Sequence, residues 1–199
     1  MAHSSFLDDD ELVGWFYKGF QGYRPFRRED SMSFDLKSAS LHSESRLVKR
    51  LRPNLVSVGG DWLDFLGAIG RTDLIVEGMS RWRSWCDSWG GSLLLTTYTG
   101  SLTLEGALEK VLPMLDGLLV TVNRSGNGMF PTRQAFLDWV VGCKKPIMAM
   151  HAMEIGRIPV TEALRYIFEE SPACSAVLGA SRPATILQLC EGLADQFST

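Results

Sequence analysis

LLVTVNRSGNGMFPTRQAFLDWVVGCKKPIMAMH, Leu118 to His151, is the stretch on which the fold is decided. Leu118–Asn123 is a short run of leucine and β-branched residues, the composition of a strand buried on both faces. Arg124, Ser125, Gly126, Asn127 and Gly128 then read as a loop. Thr132 suits a helix start, because its hydroxyl can accept an unpaired amide hydrogen, and apolar residues at helical spacing continue over 132–143. A second apolar run, Ile147–His151 (IMAMH), closes the segment. Strand, helix and strand in this order make a βαβ unit, whose strands must run parallel.

The same rhythm recurs from residue 31 onward. Strands are expected at Ser33–Ser38, Leu55–Gly59, Leu74–Gly78, Leu93–Tyr98, Leu118–Asn123, Ile147–His151 and Ala176–Ser181. Helices are expected near 42–52, 61–69, 80–89, 103–115, 132–143, 159–170 and 183–197, with Thr103, Thr132 and Pro159–Thr161 as starts. Strict alternation predicts an α/β fold with a parallel sheet. The first choice is a compact TIM-like (β/α) barrel of seven or eight parallel strands; an open doubly wound parallel sheet is the alternative. Seven strands leave a closed barrel one short, so Leu12–Phe16 or the aromatic segment Trp15–Phe26 would supply a degenerate first unit. Residues 1–30 are therefore read as an aromatic N-terminal segment and 31–199 as the barrel domain.

Composition narrows the class. The 199 residues are 45% hydrophobic and 22% charged, enough for a core without disulfides or a structural metal. Twenty basic against 23 acidic side chains give a formal charge of −3, which offers no general attraction to nucleic acid. The one basic run, Arg46, Lys49, Arg50 and Arg52, has the spacing of a solvent-facing helix side. Asp8, Asp9, Asp10 and Glu11 replace the cationic and apolar blocks of a signal peptide, and no apolar run reaches membrane-spanning length. A cytoplasmic protein that binds no membrane is expected. Cys86, Cys143, Cys174 and Cys190 lie far apart in apolar company and are read as buried thiols.

In either parallel architecture the site lies beyond the carboxyl ends of the strands. The polar residues expected there are Asp35 and Lys37, Glu77, Thr96 with Tyr98, Asn123 and His151. Lys37, Glu77 and His151 are the catalytic candidates. Glu77 or His151 would act as general base, since burial moves a carboxylate or imidazole toward neutral pKa, and Lys37 would stabilise developing negative charge. Asp35, Tyr98 and Asn123 would orient the substrate. Each has a plainer role available: Glu77 as partner of Arg81 or Arg83, Asp35 as counter-ion of Lys37, Asn123 as a turn residue, His151 as a loop residue.

The last two βα junctions carry a second signal. After His151 come Ala152 to Pro159 with Gly156 and Arg157; after the final strand come Gly179, Ala180, Ser181, Arg182 and Pro183. Glycine lets backbone amides approach an anion, a helix N-terminus adds positive potential, and arginine supplies a fork of donors. Arg157, Gly179, Ser181 and Arg182 are thus expected to hold an anionic group, against the plain alternative of a tight turn.

This order of strand, glycine-containing loop and final helix resembles the phosphate-binding (β/α)-barrel enzymes, from about Ser33 to the C-terminus. Asp35-Leu36-Lys37 is similar to the Asp-x-Lys of the orotidine-phosphate decarboxylase group, whose second aspartate is replaced here by Ser40. KPIMAMHAMEIGRI and SAVLGASRP resemble the closing strands of aldo-keto reductases, a likeness that implies a last loop and helix gripping a nicotinamide phosphate. The Asp, Tyr, Lys and His of that family's earlier strands have no recognisable counterpart.

GxGxxG after a first strand, GxxxxGK[ST], HExxH and GxSxG are all lacking. His3, His42 and His151 do not have metal-ligand spacing, leaving Glu77, Asp61 and His151 as a set that would need to converge in space. Trp82, Trp85 and Trp89 at i, i+3 and i+7 form a helix stripe suited to core or to an oligomer contact.

Three functions follow. The first is a lyase or isomerase working by acid/base chemistry on a small anionic, phosphorylated or similar substrate, with no cofactor. The second is an NADP-dependent, aldo-keto-reductase-like oxidoreductase in which Tyr98 or His151 protonates a carbonyl and Arg182 meets the cofactor phosphate; a divalent metal is a further cofactor alternative. The third is a non-catalytic barrel that binds a partner or a second copy through Met129, Phe130, the N-terminal aromatics and the Trp82–Trp89 stripe.

Overall fold

The computed structural model describes residues 2–4, 46–68, 70–100 and 104–197. The strand expected at Ser33–Ser38, with Asp35, Lys37 and Ser40, the aromatic segment at Leu12–Phe26 and the helix start at Thr103 lie outside the described residues. Within them the chain forms two compact units, Met1–Gly117 and Leu118–Thr199.

In the first unit, β1 (Ala2–Ser4), β2 (Leu55–Gly59) and β3 (Ser92–Thr97) run parallel, with Val56 beside Ala2 and Leu93. β1 was not among the expected strands. A helical stretch at 46–51 precedes β2 and exposes Arg46, Lys49 and Arg50 while burying Val48, as the basic spacing requires. Helices α1 (Asp61–Ala68), α2 (Thr72–Asp87) and α3 (Glu105–Val111) complete the unit. Val56, Val58, Leu93 and Leu95 meet Leu63, Leu66, Ile75, Met79, Trp82 and Ala107 in its core.

The main correction concerns Leu74–Gly78. These residues belong to α2 and form no strand. Leu74, Ile75, Gly78, Met79, Trp82 and Cys86 are buried along it, a helical period that runs straight through the LIV triplet. Three apolar residues in a row imitate a strand, but the pattern extends over 16 residues and tertiary packing selects the helix.

Arg83 staples α2 to the strand ends. Its Nη1 donates to Asp116 Oδ2 at 2.6 Å and its Nη2 to Gly91 O at 2.9 Å, while Asp116 Oδ2 also accepts the Leu93 amide at 2.8 Å. The tryptophan stripe serves the same packing. Trp82 is fully buried, Trp85 meets it edge-on at 4.9 Å, and Trp89 Nε1 donates to Pro53 O at 3.1 Å. Trp82 is therefore core and not a contact surface.

The second unit carries β4 (Gly117–Thr121), β5 (Ile147–Met150) and β6 (Ser175–Ala176), with Val120 beside Ala149 and Ala149 beside Ala176, all parallel. Helices α4 (Arg133–Gly142), α5 (Val160–Arg165, continued by a π turn at Tyr166–Glu170) and α6 (Pro183–Phe197) alternate with them. Thr132 caps α4, its hydroxyl accepting the Ala135 amide at 3.2 Å. β4 is buried along its whole length, as its uninterrupted apolar sequence demands. Met129 is buried too, whereas Phe130 is 48% exposed, so the expected interface pair is split by the turn between them.

The last expected strand, Ala176–Ser181, is shorter than its sequence suggested. Val177 N still donates to Ala149 O at 2.8 Å, after which Leu178–Ser181 leave the sheet. Cys86 and Cys143 are buried but Cys174 and Cys190 are exposed, correcting the reading of four buried thiols. Cys190 lies on α6, whose buried contact at Leu189 leaves the next position facing outward. Among the described residues no helix is long and apolar enough to cross a membrane.

Candidate functional site

The second unit contains a cleft of about 930 Å³ built from the two loops that follow β5 and β6. The β5–α5 loop contributes His151, Met153, Glu154 and Ile158; the β6–α6 loop contributes Val177 and Gly179–Arg182; the first turns of α6 add Thr185 and Gln188. Most of the remaining wall is apolar, including Leu119, Met150 and Val160. A concave apolar surface with a few polar groups at its edges is the usual form of a small-molecule or cofactor site.

His151 stands at the carboxyl end of β5, as its place in the sequence predicts, and its Nδ1 is 3.2 Å from Thr121 Oγ1 at the end of β4. Its backbone is left-handed (φ 58°), as are those of Glu154 (45°), Ile155 (59°) and Gly156 (85°). For a β-branched residue such as Ile155 this conformation is strained and needs support from its surroundings. Support comes from within the loop, where Glu154 N donates to His151 O at 3.1 Å and Gly156 N to Met153 O at 2.8 Å. It also comes from Ser125, whose Oγ donates to Glu154 Oε1.

Gly179, Ser181 and Arg182 line the cleft, whereas Arg157, exposed on the β5–α5 loop, is not among the described lining. Nothing lies within 4 Å of the place a Cβ would take on Gly179, so its backbone is open to a ligand. Asn123 is buried and folds its own turn: Nδ2 donates to Asn127 O at 2.8 Å and Oδ1 accepts the Gly126 amide at 2.8 Å. The structure thus places it in the turn role that was its plainer reading.

Two more candidates belong to the first unit. Glu77 is not at a strand end; it sits on α2, half exposed, where Arg81 one turn away donates to its Oε1. Tyr98 follows β3 and donates its backbone amide to Asp64 Oδ2 at 2.7 Å. Asp64 escaped the sequence reading. On α1 it is buried and accepts from Thr97 Oγ1 at 2.5 Å and from the Thr99 amide at 3.2 Å as well. Burial outweighs these hydrogen bonds and pushes its carboxyl up from 3.8 to about 6. Its signal was a carboxylate wedged between Leu63 and Phe65 on the apolar stretch of the helix. Beside it, Ser57 and Thr96 join β2 to β3 through their hydroxyls. Among the described residues no group of three or more His, Cys, Asp or Glu side chains could hold a metal ion.

No protein-family model matches the chain, and no curated protein matches it in sequence. Among solved structures it is similar to the one described as "Putative aldo-keto reductase from Pseudomona aeruginosa", with a TM-score of 0.51 and 18% identity. The match covers 80% of this chain but 62% of that protein, so the chain spans less than two thirds of its structural relative. At this identity the likeness is one of fold: α/β, with parallel strands, of the barrel type.

Proposed function

We propose that this chain is a nicotinamide-dependent oxidoreductase that reduces a small carbonyl substrate, with NADP as its cofactor. The observation that carries the reading is the second unit's cleft, in which His151 and Arg182 line one concavity at successive strand ends. The fold likeness to a protein described as an aldo-keto reductase favours this chemistry over the lyase or isomerase reading.

The residues fit the cofactor. Arg182 offers a guanidinium fork, Ser181 a hydroxyl and the open Gly179 backbone a close approach, all at the start of the 15-residue helix α6. Together these form a site for a phosphate-bearing ligand. When bound, a reduced nicotinamide supplies a hydride. His151 then polarises the carbonyl: if Thr121 Oγ1 donates to Nδ1, the imidazole carries its hydrogen on Nε2 and donates it as a hydrogen bond to the carbonyl oxygen as negative charge builds there, the alkoxide taking its proton from solvent. Met150, Ala152 and Met153 give the cleft an apolar wall beside His151, which is itself exposed. Asp35 and Lys37 have no part in this reading.

Titrating NADPH and NADH into the full chain, followed by tryptophan fluorescence and by calorimetry, tests it. Wild type should bind NADPH, and Arg182→Met should weaken that binding about tenfold, the low end for an exposed charge-assisted contact, while leaving NADH unchanged. A folded wild type that binds neither nucleotide refutes the proposal. Turnover of a small anion without nucleotide would restore the acid/base reading, and complete inertness the partner-binding one.

A further inference from the structure

The loop that presents His151 is held in a costly shape by a contact from a different βα loop. Left-handed backbone at His151, Glu154 and Ile155 persists only where surrounding structure over-determines it. The β4–α4 turn provides that restraint. Asn123 fixes the turn through Asn127 O and the Gly126 amide, and its Oδ1 lies 3.1 Å from Ser125 Oγ. Ser125 Oγ in turn accepts the Asn127 amide at 3.1 Å, and its single hydrogen lies between two acceptors, Asn123 Oδ1 and the Glu154 carboxylate. Glu154 then closes back on the histidine, its amide donating to His151 O at 3.1 Å. On the other side, Thr121 Oγ1 meets the imidazole at Nδ1.

We propose that Ser125 and Glu154 are positioning residues: their side-chain contact locks the His151 turn, and through it sets which imidazole nitrogen faces Thr121 and which faces the cleft. The inference rests on the role given to His151 in the proposed carbonyl reduction. It extends that role to a pair of side chains on two loops, neither of which needs to touch the substrate. Glu154 acts here as an acceptor and not through its charge, so a neutral acceptor of the same length should serve.

The test uses the full chain with Glu154→Ala, Glu154→Gln and Ser125→Ala. Nitrogen-15 spectra of the imidazoles are simple, since the chain has three histidines, and His151→Gln identifies the relevant signal. Wild type should show the tautomer protonated at Nε2. Glu154→Ala and Ser125→Ala should shift it toward an even mixture, and Glu154→Gln should restore the wild-type pattern.

With NADPH and an aromatic aldehyde, the two alanine variants should lower kcat by about tenfold to a hundredfold, as a small misplacement of a catalytic group does. Nucleotide affinity of Ser125→Ala, whose side chain is not among the described lining of the cleft, should not change. An unchanged His151 tautomer in both alanine variants overturns the inference, as does a Glu154→Gln variant as impaired as Glu154→Ala. The spectroscopic arm needs neither nucleotide nor turnover. Absence of NADPH binding therefore sinks the oxidoreductase reading alone, while the tautomer result still decides the positioning pair.

Discussion

Replacing Asp64 by asparagine should change how stability depends on pH, and the sign distinguishes a desolvated carboxylate from a salt-bridged one. The carboxyl is buried between α1 and the end of β3, and burial raises it from 3.8 to about 6 despite donors from Thr97, Tyr98 and Thr99. Because the folded state holds this proton more tightly than the unfolded chain, the stabilisation is complete below about pH 4 and is lost as pH rises through about 6. A shift of this size corresponds to roughly 3 kcal/mol, reduced by any local relaxation. In the Asp64→Asn variant the amide would carry a constant cost, from a donor placed where the carboxylate accepts, but no titration. The stability of wild type minus that of Asp64→Asn should therefore fall between pH 4 and 6.5. Urea unfolding at a series of pH values measures it. Tryptophan emission is a suitable probe, since Trp62, Trp82, Trp85 and Trp89 all belong to the first unit. A difference that is flat over this range, or that rises with pH, would refute the argument that burial dominates the site.

Three further outcomes are expected. Gly59→Ala should destabilise the first unit by more than about 2 kcal/mol in the same urea assay, because a Cβ there would lie 2.3 Å from Thr96 O on a backbone at φ 120°. Thr132→Ala removes the side-chain cap of α4 and should cost about 1 kcal/mol, read as a lowered thermal midpoint. With a thiol reagent such as Ellman's, Cys174 and Cys190 should react in the native protein, whereas Cys86 and Cys143, whose thiols burial pushes up to about 11, should react only on unfolding.

Much of the second unit is legible in the sequence, because its local patterns agree with its packing. LLVTVN and IMAMH pair as parallel strands, Thr132 caps the helix between them, and Pro183 opens a helix that runs to Phe197. Leu74–Gly78 misled because three consecutive apolar residues satisfy either period, and only the burial of Met79, Trp82 and Cys86 along the same face identifies a helix. That one reassignment moved Glu77 from a strand end to a helix surface, beside Arg81.

The sequence alone determined the alternation of strand and helix in the second unit and with it the carboxyl-end position of His151. Those follow from hydrophobic period and turn chemistry, which are local. Tertiary structure alone decided that Ser125 reaches Glu154, that Asp64 is sealed beneath the end of β3, and that Arg182 but not Arg157 lines the cleft. Such outcomes depend on a few left-handed residues and on side chains distant in sequence meeting across loops. No periodicity encodes them, because a loop's direction is set by the structure that holds its ends.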